Sequence, residues 1–274
     1  MKTIKRGMQM NNAKLCITSW SYHRALESGK IDLDGFLRAA RDAGAAGVDI
    51  VRGHFPSGGV GALRDAVNRA RSMGLEVAAL GMAGDLTYRG GTDRRKMKSE
   101  LVQWVQLARA VDVSAIRIFA GDSSICDSAE RRANSLLRSV APLARKLQVR
   151  VAMENHWGIS VNPDSAWRML RGLPLPWVGS CLDIGNFSRD DRESLYGVKK
   201  LAPLAVHVHV KDFGGANKRE GLDQAANIGI IRRSGYKGWF SLEYEGQEDE
   251  LKEVPRAFAR MAKAAGAAGF TAGR

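Results

Sequence analysis

Eight short apolar runs alternate with segments of helical spacing along nearly the whole chain, and this alternation limits the possible folds more than any other feature. We predict strands at residues 15–20, 47–51, 75–80, 115–119, 149–154, 178–183, 205–210 and 239–243. Helices are predicted between them, and glycines such as Gly44 and Gly74 mark helix ends. Since right-handed crossovers join such units into a parallel sheet, we predict an α/β fold with a single (β/α)8 TIM barrel.

The length of 274 residues fits one domain, because barrels of this kind need about 250 residues. We assign residues 13–266 to a TIM-barrel catalytic domain, residues 1–12 to a disordered or extended N-terminus, and residues 267–274 to a flexible tail. An open, doubly wound sheet is the main rival architecture. Its dinucleotide-binding version loses support, since no GxGxxG motif opens a predicted helix.

The formal net charge of +13 raises the question of a nucleic-acid partner. The basic residues are scattered along helix-like segments, which favours a solvated basic surface over a nucleic-acid face. The N-terminus lacks the apolar part of a secretory signal, and no run of about eighteen apolar residues occurs, so we predict a cytoplasmic protein without a membrane partner. The odd number of cysteines favours reduced, buried thiols at Cys16, Cys126 and Cys181.

Four of the predicted strands end on residues that commonly bind metals. Residues two apart share a face of a strand, so His207, His209 and Lys211 should point into the barrel, while the valines at 206, 208 and 210 pack on helices. His207 lies deeper than His209 and is interpreted as a core histidine. This mixed set of carboxylate and imidazole groups lacks thiolates, which disfavours a structural zinc site. It favours Mn²⁺ as the bound ion, with Mg²⁺, Co²⁺ or Zn²⁺ as alternatives. The predicted ligands are Glu154, Asp183, His209 and Glu243.

Four segments carry a resemblance to a known family: ENHWG, LDIGN, HVKDF and GYKGWFSLEYEG. Together they resemble the xylose-isomerase-like TIM-barrel superfamily of sugar phosphate isomerases and epimerases. The resemblance implies that the four predicted ligands bind one divalent metal ion, and that Glu154 and Glu243 also act as acid and base. A cation beside a ketone oxygen stabilises the enediolate formed when the neighbouring C–H proton leaves. We therefore expect an isomerase or epimerase of a keto-sugar or related polyol ketone.

A second enzymatic interpretation uses His156 as the catalytic base. The ENH motif is also similar to that of dehydroshikimate dehydratases and keto-glycoside lyases, in which this histidine starts an elimination. Asn186 stands where many sugar epimerases of the superfamily have histidine, and an amide cannot transfer a proton near neutral pH. That departure favours either a lyase or an unusual keto-sugar as the substrate.

The expected substrate is a small, carbohydrate-like molecule. Trp20 and Trp157 are predicted to form apolar walls for it, and Asn186 and Lys211 to bind its oxygen atoms. Asp212 is interpreted as a residue that orients His209 or Lys211. A homodimer is the default assembly.

Two functions outside this group of enzymes agree less well with the sequence. An enzyme like endonuclease IV would need more histidines than the five present, so nucleic acid is an unfavoured partner. A barrel that binds without catalysis is disfavoured by the intact set of predicted ligands.

Overall fold

The computed structural model describes residues 12–88, 91–121, 125–187, 191–215, 222–269 and 271–272. Most of the predicted N-terminal extension therefore lies outside the described residues, as do residues 270, 273 and 274 of the predicted tail. Residues 271–272 form a short strand that pairs with Asn12 and Ala13.

Eight parallel strands form a closed barrel. They are β1 (Asn12–Thr18), β2 (Gly47–Val51), β3 (Glu76–Gly81), β4 (Ala115–Phe119), β5 (Arg150–Glu154), β6 (Val178–Asp183), β7 (Ala205–Asp212) and β8 (Trp239–Tyr244), and the added strand is β9 (Thr271–Ala272). Each barrel strand pairs with the next, and β1 also pairs with β8, which closes the sheet. The predicted single (β/α)8 TIM barrel is thus confirmed.

Nine α-helices lie within the described ranges. They are α1 (His23–Glu27), α2 (Leu33–Asp42), α3 (Gly59–Ser72), α4 (Gly91–Ala110), α5 (Asp127–Leu147), α6 (Pro163–Leu170), α7 (Asp191–Leu201), α8 (Gln224–Arg233) and α9 (Glu250–Ala267). The side chain of Asp32 accepts a hydrogen bond from the Gly35 amide and caps α2, and Asp223 caps α8 in the same way. Gly44, just beyond α2, has a φ of 88°, a left-handed conformation that glycine adopts at little cost.

The first and seventh strands differ most from the predicted bounds. β1 stops at Thr18, whose side chain accepts a hydrogen bond from the Trp20 amide and starts a 3-10 turn over Ser19–Tyr22. β7 continues two residues beyond the predicted end, to Asp212. β1 also begins three residues before its predicted start, at Asn12. The differences at the ends of β1 and β7 lie at the carboxyl face of the barrel, where TIM-barrel enzymes build their active sites.

The alternation along the strands separates a helix-facing layer from the barrel interior. Met153, Leu182 and Leu242 belong to the main hydrophobic core with the helices, whereas Ala152 and Cys181 belong to a small interior cluster. Burying each large apolar side chain contributes roughly 1.5–3 kcal/mol. Because the large apolar side chains pack against the helices, the positions that face the barrel interior carry small and polar residues.

Val206 corrects one detail of the predicted alternation. It joins the interior cluster with Ala152 and Cys181 rather than packing on helices. The register between β6 and β7 shifts here: Ser180 opposes Ala205 and Cys181 opposes His207, so Val206 is left unpaired. A bulge of this kind can turn inward a side chain that strict alternation would place on the outer face.

The cysteine prediction needs one correction. Cys16, Cys126 and Cys181 are free, but only the first and last are buried, and Cys126 is exposed before α5. Across the described residues, no helix is both long and apolar enough to span a membrane.

Candidate metal centre

The carboxyl ends of β5 to β8 bring the four predicted ligands together. Glu154 and Asp183 end β5 and β6, whereas His209 and Glu243 lie near the ends of β7 and β8. One potential ligand atom of each residue lies within 4.8 Å of those of the other three. All four side chains are buried, so the sequence-predicted set converges at one point.

Three buried polar atoms of this cluster have charged neighbours but no regular hydrogen bond in the described part of the chain, namely Glu154 Oε2, Asp183 Oδ2 and His209 Nδ1. His209 Nδ1 lies 2.7 Å from Glu243 Oε2 and 3.5 Å from Glu154 Oε1. Buried polar atoms are seldom left unpaired, and three carboxylates with one imidazole suit a hard divalent cation. The residues present therefore fit such an ion.

Asn155 fixes the position of the second carboxylate. Its amide donates to the Asp183 carbonyl at 2.8 Å and accepts from the Asp183 amide at 2.9 Å, so the side chain acts like a short extra strand between β5 and β6. Asp183 Oδ1 in turn accepts a 2.7 Å hydrogen bond from the Gly185 amide. Oδ2 of this carboxylate accepts no hydrogen bond from the residues that the structure describes.

Lys211 and Asn186 lie beside the four candidate ligands. Lys211 Nζ donates to Asn186 Oδ1 at 2.7 Å, and it lies 3.2 Å from Glu243 Oε1 and 3.6 Å from Asp183 Oδ2. Asn186 Nδ2 donates to Glu154 Oε1 at 3.3 Å. Both ends of the amide thus have partners within the protein, and the predicted substrate contact of Asn186 stays a prediction.

Two buried residues of the site were missed by the sequence analysis. Asp49 on β2 accepts a 2.8 Å hydrogen bond from His207 Nε2, and the same oxygen lies 3.6 Å from His209 Nε2. Arg117 on β4 lies with Nε 3.2 Å from Glu154 Oε2. A charged residue inside an otherwise apolar strand was the available signal, in the runs GVDIV and AIRIF.

His156 lies just beyond β5, packed against Phe119 and Trp157 with ring centroids 4.8 Å and 4.1 Å away. Its backbone amide donates to Ser160 Oγ. Its buried Nδ1 has no hydrogen-bond partner among the described residues. The imidazole therefore has an unused polar atom next to Glu154.

The predicted aromatic walls stand on opposite sides of the barrel mouth, because β1 and β5 are four strands apart in a ring of eight. Trp20 follows β1 and is 36% exposed, and Trp157 follows β5 and is 48% exposed. The Trp20 indole stacks on His23 at 4.5 Å and donates to Glu245 Oε1 at 3.2 Å. Both rings have surface available to a ligand.

The electrostatics of the site differ from one carboxyl group to the next. Burial raises the pKa of Asp183 to about 7, against the opposing effect of Lys211. Burial alone would also raise the pKa of Glu154, but the Arg117 guanidinium and His209 outweigh it and the pKa is lowered. Burial is likewise outweighed at Glu243, where Lys211 and the close contact with His209 hold the pKa well below its usual value.

The two ionisable rings are shifted in opposite directions. Burial lowers the pKa of His156 to about 4, so its imidazole is neutral at pH 7. Burial would lower the pKa of His209 too, but the surrounding anionic groups, including Glu154 and Asp49, raise it well above the usual value. A cation and this proton would compete for the imidazole nitrogen that faces the carboxylates.

The expected role of Asp212 is wrong. Its carboxylate forms two hydrogen bonds with Arg260 of α9, at 2.9 Å and 2.8 Å, and also accepts from the Gly214 amide. Asp212 lies one residue beyond the inward-facing Lys211 and so points to the helix layer. It ties β7 to α9 and does not orient His209 or Lys211.

Several solved structures share this architecture. The structure of an L-ribulose 3-epimerase superimposes with a TM-score of 0.74 at 17% identity, over 93% of this chain and 95% of that one. A structure of the IolI protein with a bound zinc atom gives a TM-score of 0.70 at 14% identity, over 92% and 96%. The 3-dehydroshikimate dehydratase AsbF of Bacillus anthracis, described as probable, gives 0.69 at 16% identity, over 90% and 97%.

At these identities the structural likeness shows a common fold alone. No curated protein has significant sequence similarity to the chain. The profile of the xylose isomerase-like TIM barrel family matches residues 37–263, which is most of the chain and includes all four candidate ligands. The protein therefore belongs to the xylose isomerase-like TIM barrel family, as the resemblance of its strand-end motifs indicates.

Proposed function

We propose that the protein is a divalent-metal-dependent isomerase or epimerase that acts on a keto-sugar or a related polyol ketone. The observation that carries the proposal is the convergence of Glu154, Asp183, His209 and Glu243, each of which offers a buried ligand atom within 4.8 Å of those of the other three. The shared fold with an L-ribulose 3-epimerase supports it. Mn²⁺ is the favoured ion, because the ligands are mainly carboxylates and include no thiolate.

Glu154, Asp183, His209 and Glu243 would hold the ion, which would supply positive charge to the oxygen atom on which negative charge develops. Glu243 and Glu154 exchange the proton of the carbon next to the ketone, one removing it and the other returning it. Lys211, held by Asn186 and close to Glu243, donates a hydrogen bond to a substrate oxygen. Trp20 and Trp157 cover the apolar faces of the sugar and exclude water.

The test is solvent deuterium exchange with a panel of keto-sugars and the Mn²⁺-loaded protein. We expect deuterium to be incorporated at the carbon beside the ketone. Apart from that exchange, the product should have the same elemental composition as the substrate. Glu154→Gln and Glu243→Gln should each lower turnover by about 10²-fold or more, because a positioned acid or base contributes that much. Full turnover in either folded variant excludes that residue as acid or base.

A second candidate function is elimination from a similar keto substrate, with His156 as the base. The specific observation is the unpartnered Nδ1 of a neutral, half-buried imidazole beside Glu154. The fold shared with the probable dehydratase AsbF agrees with it. Loss of water or of an aglycone, detected in the product mass and abolished in His156→Gln, identifies this reaction. Deuterium exchange that survives in His156→Gln rejects it.

A further inference from the structure

The guanidinium of Arg117 is held inside the barrel from three sides. Its central carbon, Cζ, lies 4.2 Å from the centre of the Phe119 ring, within the range of a cation–π contact. Its Nε lies 3.2 Å from Glu154 Oε2. On the β3 side, Gly81 leaves the necessary room, since a Cβ there would lie 3.0 Å from Nη2.

Glu154 has a different neighbour for each of its two oxygens. Oε2 faces Arg117, whereas Oε1 lies 3.5 Å from His209 Nδ1 and accepts a hydrogen bond from Asn186. Rotation of the carboxylate would break the contacts of both oxygens. The orientation of this ligand is therefore set by residues outside the predicted ligand set.

We infer that Arg117 is a positioning residue for the metal centre: it binds Glu154 Oε2 and thereby presents Oε1 to the cation. This inference rests on the proposed function. A guanidinium keeps its charge at every physiological pH, and side chains that orient metal ligands commonly contribute to metal affinity. Arg117 is buried, so without Glu154 its guanidinium would be an uncompensated buried charge.

A purely structural role for the same ion pair makes a different prediction. In that case replacing Arg117 would lower the thermal stability of the fold but leave the metal affinity of the folded protein unchanged. Metal affinity measured without substrate therefore separates the two roles, and it does not depend on knowing the reaction.

The experiment is a titration of the metal-free protein with Mn²⁺, in which the electron paramagnetic resonance signal reports the free ion. We expect wild type to bind one Mn²⁺ per chain and Arg117→Met to bind it about 10- to 100-fold more weakly. Arg117→Lys keeps the charge and should recover part of that loss. Arg150→Met is the matched control, because Arg150 begins β5 at the other end of the barrel and donates to Ser114.

Gly81→Ala tests the same contact without removing the charge. The added Cβ would meet both Arg117 and Val51 at 3.0 Å and push the guanidinium away, so a smaller loss of affinity is expected. If folded Arg117→Met binds Mn²⁺ as tightly as the wild type, the inference is overturned. If that variant does not fold, unchanged Mn²⁺ affinity in Gly81→Ala overturns the inference instead. No uptake by the wild type instead overturns the proposed function itself.

Discussion

At the scale of single residues, a glycine decides whether Lys211 can reach the candidate metal centre. A Cβ on Gly185 would lie 2.6 Å from Lys211 Cβ and 3.1 Å from its Cδ, so the lysine stem occupies the space that a side chain would need. Asn186 then fixes the ammonium group through a 2.7 Å hydrogen bond. The position of this cation depends on two adjacent residues rather than on its own strand.

We expect Gly185→Ala to displace Lys211 and to lower kcat/KM by about 10²-fold, the effect that a displacement of about 1 Å can have on an active-site group. Mn²⁺ affinity should stay within a few-fold of wild type, because none of the four ligands is replaced. Steady-state kinetics on the substrate identified by the deuterium assay, with a parallel Mn²⁺ titration, measures both. Gly53→Ala is the control, since a Cβ there meets no atom within 4 Å. Unchanged kcat/KM in Gly185→Ala would show that the position of Lys211 is unimportant.

At the scale of elements, α5 and α6 are joined by a buried carboxylate. Both Glu130 oxygens accept from Arg168, at 2.5 Å and 2.7 Å, and Glu130 is only 4% exposed. The hydrogen bond from Arg168 is the main cause of the lowered pKa of Glu130. Since the folded state favours the ionised form, the pair stabilises the protein above the usual pKa near 4.5 and loses its effect as the pH falls through the folded value.

Glu130→Gln should therefore lower the free energy of unfolding at pH 7 by about 1 kcal/mol, an effect reduced by the partial exposure of Arg168. The difference from wild type should shrink as the pH is lowered from 6 towards 3, because protonated Glu130 resembles glutamine. Urea unfolding at several pH values measures it. Glu76→Gln, at an exposed position at the start of β3, should change little at any pH. A pH-independent difference for Glu130→Gln would contradict the ionic explanation.

At the scale of the whole molecule, the candidate centre depends on the closed barrel, because its ligands come from four strands between residues 150 and 244. An unfolded chain cannot present them together, so an ion that binds the folded state stabilises the entire domain. Mn²⁺ at 100 times its Kd should raise the free energy of unfolding by about 2.7 kcal/mol, and a chelator should reverse this. Thermal unfolding measures the shift, and Asp183→Asn should show little of it. An equal shift in that variant would place the ion elsewhere.

The periodicity of the sequence was enough to predict the eight strands and to predict that the side chains of the candidate ligands point into the barrel. Glu154, Asp183, His209 and Glu243 each follow an apolar run, and in a parallel barrel the carboxyl ends of all strands lie on one face. Arg117 and Asp49 were missed because each is a single charge inside an apolar strand, and the partner of each lies on another strand, β5 for Arg117 and β7 for Asp49. Their partners depend on which strands become neighbours and at what depth, which periodicity does not specify.

Local alternation was enough to predict that the chain forms parallel βα units and that three carboxylates and an imidazole lie near the ends of four of its strands. Other features follow only from the folded chain: which oxygen of Glu154 faces Arg117, that Asn186 joins Glu154 to Lys211, and that Asp212 pairs with Arg260. Tertiary structure also decided the facing of Val206, through the bulge between β6 and β7. These contacts join residues far apart in the chain, and they exist because barrel closure fixes the register of each strand against the next.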